Sequence, residues 1–265
     1  MSRRAAALLL LPLALATAAS VQPPAATTGR YKVETIATSV VDLSAVGQGE
    51  QRNEFTITGF VTITLTDSAD GRVMHAVLDS SSVAPPAPGT PPGALEGQKG
   101  AMYHAFINRS GKTENFAVMG DSAAPQGGAV MVQLLRDFFP NVKPGFKPGD
   151  SWTDSTETRD APDTGTITTI SRVTSYSVGA EAPWAGSRGH QVATTSSFTM
   201  SAQSDTPGGP TSVEGSGTGQ ATWYVTVAGA FLGGTSATSA DLTAMTAFGD
   251  FPVKQSSKTT ISALP

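Results

Sequence analysis

The chain has 265 residues, no cysteine and a formal net charge of −4, with an isoelectric point near 5.3. The absence of a basic surplus argues against nucleic acid and anionic lipid surfaces as partners. The absence of cysteine removes disulfides, thiolate metal sites and acyl attachment through a lipobox.

In chain order, Arg3-Arg4, an apolar run over 5–16 and the small residues Ala16-Thr17-Ala18 have the layout of a secretory signal peptide. The apolar run is too short to be a permanent membrane span. Residues 1–18 are therefore expected to be removed, leaving no transmembrane anchor in the mature chain. Residues 19–29 are expected to form a disordered tether. Residues 30–265 are expected to form a single β-rich domain, secreted or periplasmic. Only 14% of residues are charged. Thr, Ser, Gly and Ala fill the space between apolar positions, as in long strands with hydroxyl-bearing faces.

The clearest element is 54–66, where Phe55, Ile57, Gly59, Val61, Ile63 and Leu65 share one face and threonines the other. Period two over this length predicts a half-buried strand, with Gly59 permitting a bulge. A turn at 67–71 predicts a hairpin back along 72–78, and 31–43 is an earlier extended stretch. The proline-rich 83–97 is expected to be an exposed loop. Strands at 101–107 and 113–119 flank Asn108-Arg-Ser-Gly111, which reads as a turn in preference to a glycosylation acceptor. At 128–139, apolar residues recur at three- and four-residue spacing, predicting a central helix ended by Pro140.

Beyond it, strands are expected at 152–158, 166–178, 190–202, 220–228, 238–247 and 253–263. Ile167, Ile170, Val173 and Tyr176 recur every three residues, so a bulge is expected in 166–178. Val192, Thr194, Ser196, Phe198 and Met200 alternate cleanly; 204–210 reads as a turn. Gly215-Ser-Gly-Thr-Gly219 lacks the Lys-Ser/Thr of a phosphate loop and reads as flexible backbone. The total is ten to twelve strands in two meander halves, about 30–120 and 151–265, joined by the helix. The fold class is all-β with one central helix: a large curved antiparallel sheet, half-barrel or clam-like.

Enzyme signatures fail one by one. His75, His104 and His190 are scattered, with no HExxH or close acidic cluster, and read as ordinary strand or loop residues in preference to zinc ligands. There is no GxSxG elbow and no SxxK in context. Asp150, Asp154 and Glu157 lie close in sequence but lack the spacing of a calcium loop or a glycosidase pair; a solvated strand edge is expected. No catalytic residue, metal ligand or cofactor is expected, and the protein is read as non-enzymatic.

Lys147-Pro-Gly-Asp-Ser-Trp152 after a proline-ended helix, the hairpin stretch Asp67–Val73, and Gly217–Gly229 carry a resemblance. They are similar to motifs of a family of exported bacterial proteins of unknown function with a lipoprotein-carrier-like fold. The resemblance implies a curved antiparallel sheet whose concave face is plugged by a helix, and it carries over no catalytic residue. It departs from that family in the long proline loop and the missing lipid-accepting cysteine.

The sheet has more apolar face than one short helix covers, which points to a groove that binds an apolar small molecule or lipid. Leu134, Leu135, Phe138 and Phe139 would form its cover, and Ile63, Phe198 and Trp223 its floor. The same residues also suit a plain core. The alternative function is a cell-envelope or surface interaction module working through loops and sheet edges.

Overall fold

The structure is a computed structural model that describes residues 25–85, 99–119, 135, 138–142, 145–160, 166–206, 209–226 and 228–265. Eleven strands form one antiparallel sheet: β1 (Ala26–Asp42), β2 (Glu50–Ser68), β3 (Gly71–Ala84), β4 (Met102–Asn108), β5 (Thr113–Met119), β6 (Ser151–Asp160), β7 (Thr166–Trp184), β8 (Ser187–Thr206), β9 (Gly209–Val225), β10 (Phe231–Thr246) and β11 (Gly249–Leu264). Their order is β5-β4-β3-β2-β1-β11-β10-β9-β8-β7-β6. Each half is thus a meander of neighbours, and the two halves join where β1 pairs with β11, from Arg30 opposite Leu264 to Val41 opposite Val253. β1 begins at Ala26, so 26–29 of the expected tether is already strand, held against Leu65 and its neighbours on β2.

Alternation explains which face is buried. On β2, Ile57, Val61 and Ile63 are buried with Val33 and Tyr31 of β1, while the intervening threonines point away. The β2–β3 register shifts beside Gly59: Phe60 opposes Ser80 and Val61 opposes Leu78, leaving Asp79 as the extra residue. On β7 the period of three needs no bulge within 166–178, because the ladder to β8 is unbroken from Thr166 to Val178 and shifts only between Val178 and Glu181. Ile167 and Val173 simply lie on the outward face, 39% and 47% exposed, while Tyr176 packs against the core.

The sheet curls into a half-barrel. Four strand steps separate β3 from β10, about 19 Å if the sheet were flat, yet Arg72 of β3 and Phe231 of β10 line one cavity. The inner face is graded along the strands. One row runs Gly59, Val33, Ile261, Gly234, Trp223, Val192, Val178 across seven strands and is largely apolar. Two residues further along β7–β11, Tyr176, Thr194, Ala221, Ser236 and Thr259 lead into a belt of hydroxyls and glycine, in which Thr238 and Ser257 hydroxyls meet at 2.7 Å. The main core is therefore confined to one end of the curl, and Leu242, Phe251 and Val253 form a separate buried patch at the other.

Gly215, Gly217 and Gly219 are regular β9 backbone rather than a flexible loop. Their role is room: a Cβ at Gly217 would lie 2.4 Å from the Phe198 ring, and one at Gly215 would lie 2.2 Å from the Asp241 carbonyl. The turn expected at 204–210 is shorter, since β8 reaches Thr206 and β9 starts at Gly209. The proline-rich loop expected from residue 83 lies outside the described residues from 86 to 98, and Val83 and Ala84 still belong to β3.

No complete α-helix is among the described residues, and the central helix expected over 128–139 is not supported by them; of that stretch only Leu135 carries helical backbone. That stretch lies largely outside the described residues, which retain Leu135, Phe138 and Phe139 from it. Phe138 donates its N–H to the Leu135 carbonyl at 3.4 Å, a three-residue turn contact that seats both side chains inward. No helix of the described residues is long and apolar enough to cross a membrane.

Candidate functional site

β5 and β6 are the two edges of the sheet, so the connection between them has to run from one edge to the other. It does so over the concave face: Leu135, Phe138, Phe139, Val142 and Phe146 all pack on the core cluster. Leu135 and Phe138 are each 1% exposed. The connection is tied to β6 by Asn141, whose Nδ2 donates to Asp154 Oδ2 at 2.6 Å, and Lys147 N–H donates to Asp150 Oδ2 at 2.8 Å.

Phe231 is the hub of this contact. Its ring meets those of Tyr31, Phe138, Phe139 and Trp223 at 6.0, 5.6, 5.4 and 5.9 Å between centroids. The edge-to-face geometry of the Phe138 and Phe139 pairs, at 74° and 71°, is favourable for aromatic quadrupoles. Tyr31 Oη donates to the Phe231 carbonyl at 3.1 Å, which satisfies a buried hydroxyl. Burial pushes the Tyr31 phenol above its ordinary value, and the nearby Arg72 guanidinium offsets part of that rise.

Beside this hub lies a cavity of about 330 Å³ at the open end of the half-barrel. Its apolar wall is Ile107, Phe139, Val142, Phe146, Val225 and Phe231; Arg72, Asn108 and Arg109 supply its polar margin. Arg109 is engaged, donating to the Ala69 carbonyl with Asp70 3.7 Å away. Arg72 is half-buried and has no ion-pair partner among the described residues. Asn108 is held by its own turn: Oδ1 accepts from the Ser110 and Lys112 N–H groups at 3.0 Å, and Nδ2 donates to Glu114 at 2.8 Å. That network is what a turn-forming asparagine does.

The residues singled out from the sequence divide. Phe139 lines the cavity, and Trp223 packs beside it on the hub. Ile63, Leu135 and Phe138 are fully buried core and offer no surface to a ligand. Phe198 is elsewhere on the inner face, lying over Gly217 with the Arg172 guanidinium 5.9 Å from its ring, and is not part of the cavity. Leu134 lies outside the described residues. Phe231 and Arg72 escaped sequence reading. The signal for Phe231 was an aromatic residue directly before Leu-Gly-Gly, where the β9–β10 register shifts.

The three carboxylates do not converge. Asp154 and Glu157 are an odd number of residues apart on β6 and face opposite sides, Glu157 outward, while Asp150 caps a turn. His75 and His104 stand directly opposite one another on β3 and β4, whereas His190 is on β8 against Phe146. Among the described residues no three His, Asp or Glu side chains gather to hold a metal.

No protein-family model matches this chain, and no curated protein matches it either.

Proposed function

We propose that this chain is an exported binding protein that takes an apolar ligand, a lipid chain or similar molecule, in the cavity beneath the crossing connection. The observation that carries the reading is the cavity itself: an aromatic and aliphatic wall of about 330 Å³ with an arginine at its margin. That volume is at the small end of ligand sites, and an apolar wall with few polar groups is their usual make-up. Export is supported by the signal-peptide layout of residues 1–18. The overall acidity disfavours a broad anionic surface as partner, but Arg72, which has no ion-pair partner among the described residues, is a local charge suited to a single carboxylate or phosphate head. The connection plays the part of the cover.

The test is displacement of a fluorescent long-chain fatty acid by its unlabelled counterpart. Saturable binding is expected, weakened by Phe139→Ala; Arg72→Gln is expected to weaken binding of the acid but not of its methyl ester. Leu135→Ala, a pure core change, is expected to cost about 2–5 kcal/mol of stability without altering probe affinity where the protein remains folded. Absence of probe binding by the wild type overturns the reading.

A further inference from the structure

The outer face of β3–β5 holds a second cluster of side chains with a chemistry of its own. His75 and His104 are directly paired across β3 and β4, with ring centroids 5.1 Å apart and planes at 65°. Met102 is two residues from His104 on β4 and so shares its face. Met119 of β5 stands directly opposite Met102. Two imidazoles and two thioethers thus occupy neighbouring positions on three consecutive strands: the His75–His104 and Met102–Met119 pairs each stand directly opposite, with Cβ atoms about 5 Å apart, and the two pairs are offset by two residues along β4. All point away from the core, whose β4 contribution is the alternate set Tyr103, Ala105 and Ile107.

Packing does not account for this arrangement. Met102 is 49% exposed and Met119 41%, so neither thioether is spent on filling a core gap, the ordinary use of methionine. The other residues paired into the patch are Thr64, Val77 and Ala117, none of which offers a competing charge. Two carboxylates on the same outer surface are engaged elsewhere: Asp79 by Arg30 at 3.1 Å and Thr62 at 2.9 Å, and Glu114, opposite Phe106, by Asn108 Nδ2 at 2.8 Å.

We propose that His75, His104, Met102 and Met119 form a binding site for cuprous ion on the outer face of β3–β5. Donor chemistry selects the metal. Thioether sulfur is a soft ligand suited to Cu(I), and imidazole suits copper as well. Calcium and magnesium require oxygen donors, which the cluster lacks. Zinc sites are built from thiolate, imidazole and carboxylate, and two histidines alone do not complete one. Methionine has three rotatable side-chain bonds, which gives the thioethers freedom to turn toward the imidazoles: Met102 lies beside His104 on the same strand, and Met119 lies diagonally across from it. The cluster is remote in chemistry from the apolar cavity, and the proposal stands or falls independently of ligand binding there.

The experiment titrates the metal-free full chain, under reductant, against cuprous ion held by the coloured chelator bicinchoninate. The wild type is expected to withdraw one equivalent of copper. His75→Ala and His104→Ala are each expected to weaken withdrawal by more than about tenfold, a loss that even outer-shell partners of a metal can produce. Met102→Leu with Met119→Leu, which preserves side-chain volume, is expected to weaken uptake of Cu(I) while leaving Ni(II) binding by the imidazoles unchanged. A merely structural role for the methionines would not separate the two metals. No withdrawal by the wild type overturns the site, as does withdrawal unchanged in H75A/H104A, where His190 remains, or in the double leucine variant. Should a histidine variant fail to fold, methyl NMR of the wild type decides. Cuprous ion is expected to shift the Met102 and Met119 methyl resonances and leave the buried Met74 in place; the reverse pattern overturns the proposal.

Discussion

Two buried phenols set how the core responds to alkali. Tyr31 and Tyr103 both carry pKa values raised above the ordinary 10.0, chiefly because burial penalises the phenolate. The native state therefore keeps its phenolic protons where the unfolded chain has begun to release them, and stability falls wherever the unfolded state binds fewer protons. Below the unfolded value both states are protonated and the effect is absent. As pH rises through about 10 toward the folded values, stability is lost. Urea unfolding followed from neutral to alkaline pH is expected to show this decline, and Tyr31→Phe with Tyr103→Phe is expected to flatten it. At neutral pH, Tyr31→Phe is expected to cost about 1–3 kcal/mol, because the buried Phe231 carbonyl loses its donor. An unaltered alkaline limb in the double variant would show that other groups cause it. The same residues mark the limit of sequence reading. Tyr31 opens an extended stretch in the sequence, yet nothing local says that its hydroxyl reaches a carbonyl 200 residues away.

Strands with one apolar face were legible as elements, because burial of a single face imposes period two. β2 and β8 meet that condition, and their paired rows follow the alternation seen in the sequence. β7 does not, since Ile167 and Val173 are apolar residues left outward and blur the pattern. Gly215–Gly219 misled for the opposite reason: glycine signals freedom locally, but here it yields space to Phe198, Ser196 and Leu242 from neighbouring strands. The β7–β8 hairpin shows what local chemistry does control. Trp184 pairs with Ser187 across Ala185 and Gly186, whose φ values of 47° and 78° are both in the left-handed region. Two positive φ values in a two-residue loop define the turn that favours Asn-Gly, and alanine is strained there. This end of the hairpin also anchors Trp184, which stacks on Tyr224 at 4.7 Å and donates to the Ile261 carbonyl at 3.1 Å. Ala185→Asn is therefore expected to stabilise the protein by about 1 kcal/mol, read as a rise in the urea midpoint with an unchanged slope. A lower midpoint would mean that the alanine methyl contributes packing that outweighs the backbone strain.

At the scale of the whole molecule, the two meander halves were visible in sequence, but the manner of their union was not. Hairpins declare themselves through turn residues between neighbouring strands; the β1–β11 pairing joins residues more than two hundred positions apart and has no turn to announce it. That pairing nevertheless makes one sheet of two. β1 and β11 have 17 and 16 residues, and separating the halves would expose both as long unpaired edges. The cavity likewise needs both halves, since Arg72 and Ile107 come from the first and Val225 and Phe231 from the second. Two polypeptides spanning 25–119 and 120–265 are thus expected to aggregate when refolded singly, each offering a free central strand and an uncovered apolar face. Refolded together they are expected to give a one-to-one complex on size exclusion, because the β1–β11 ladder and the crossing connection can form without covalent continuity at 119–120. Fatty-acid probe binding should return only in that complex. A soluble, cooperatively unfolding 25–119 fragment would show that the first meander is stable alone and that β11 merely docks on a finished domain. The shared cavity would then be an interface between two units rather than part of a single core.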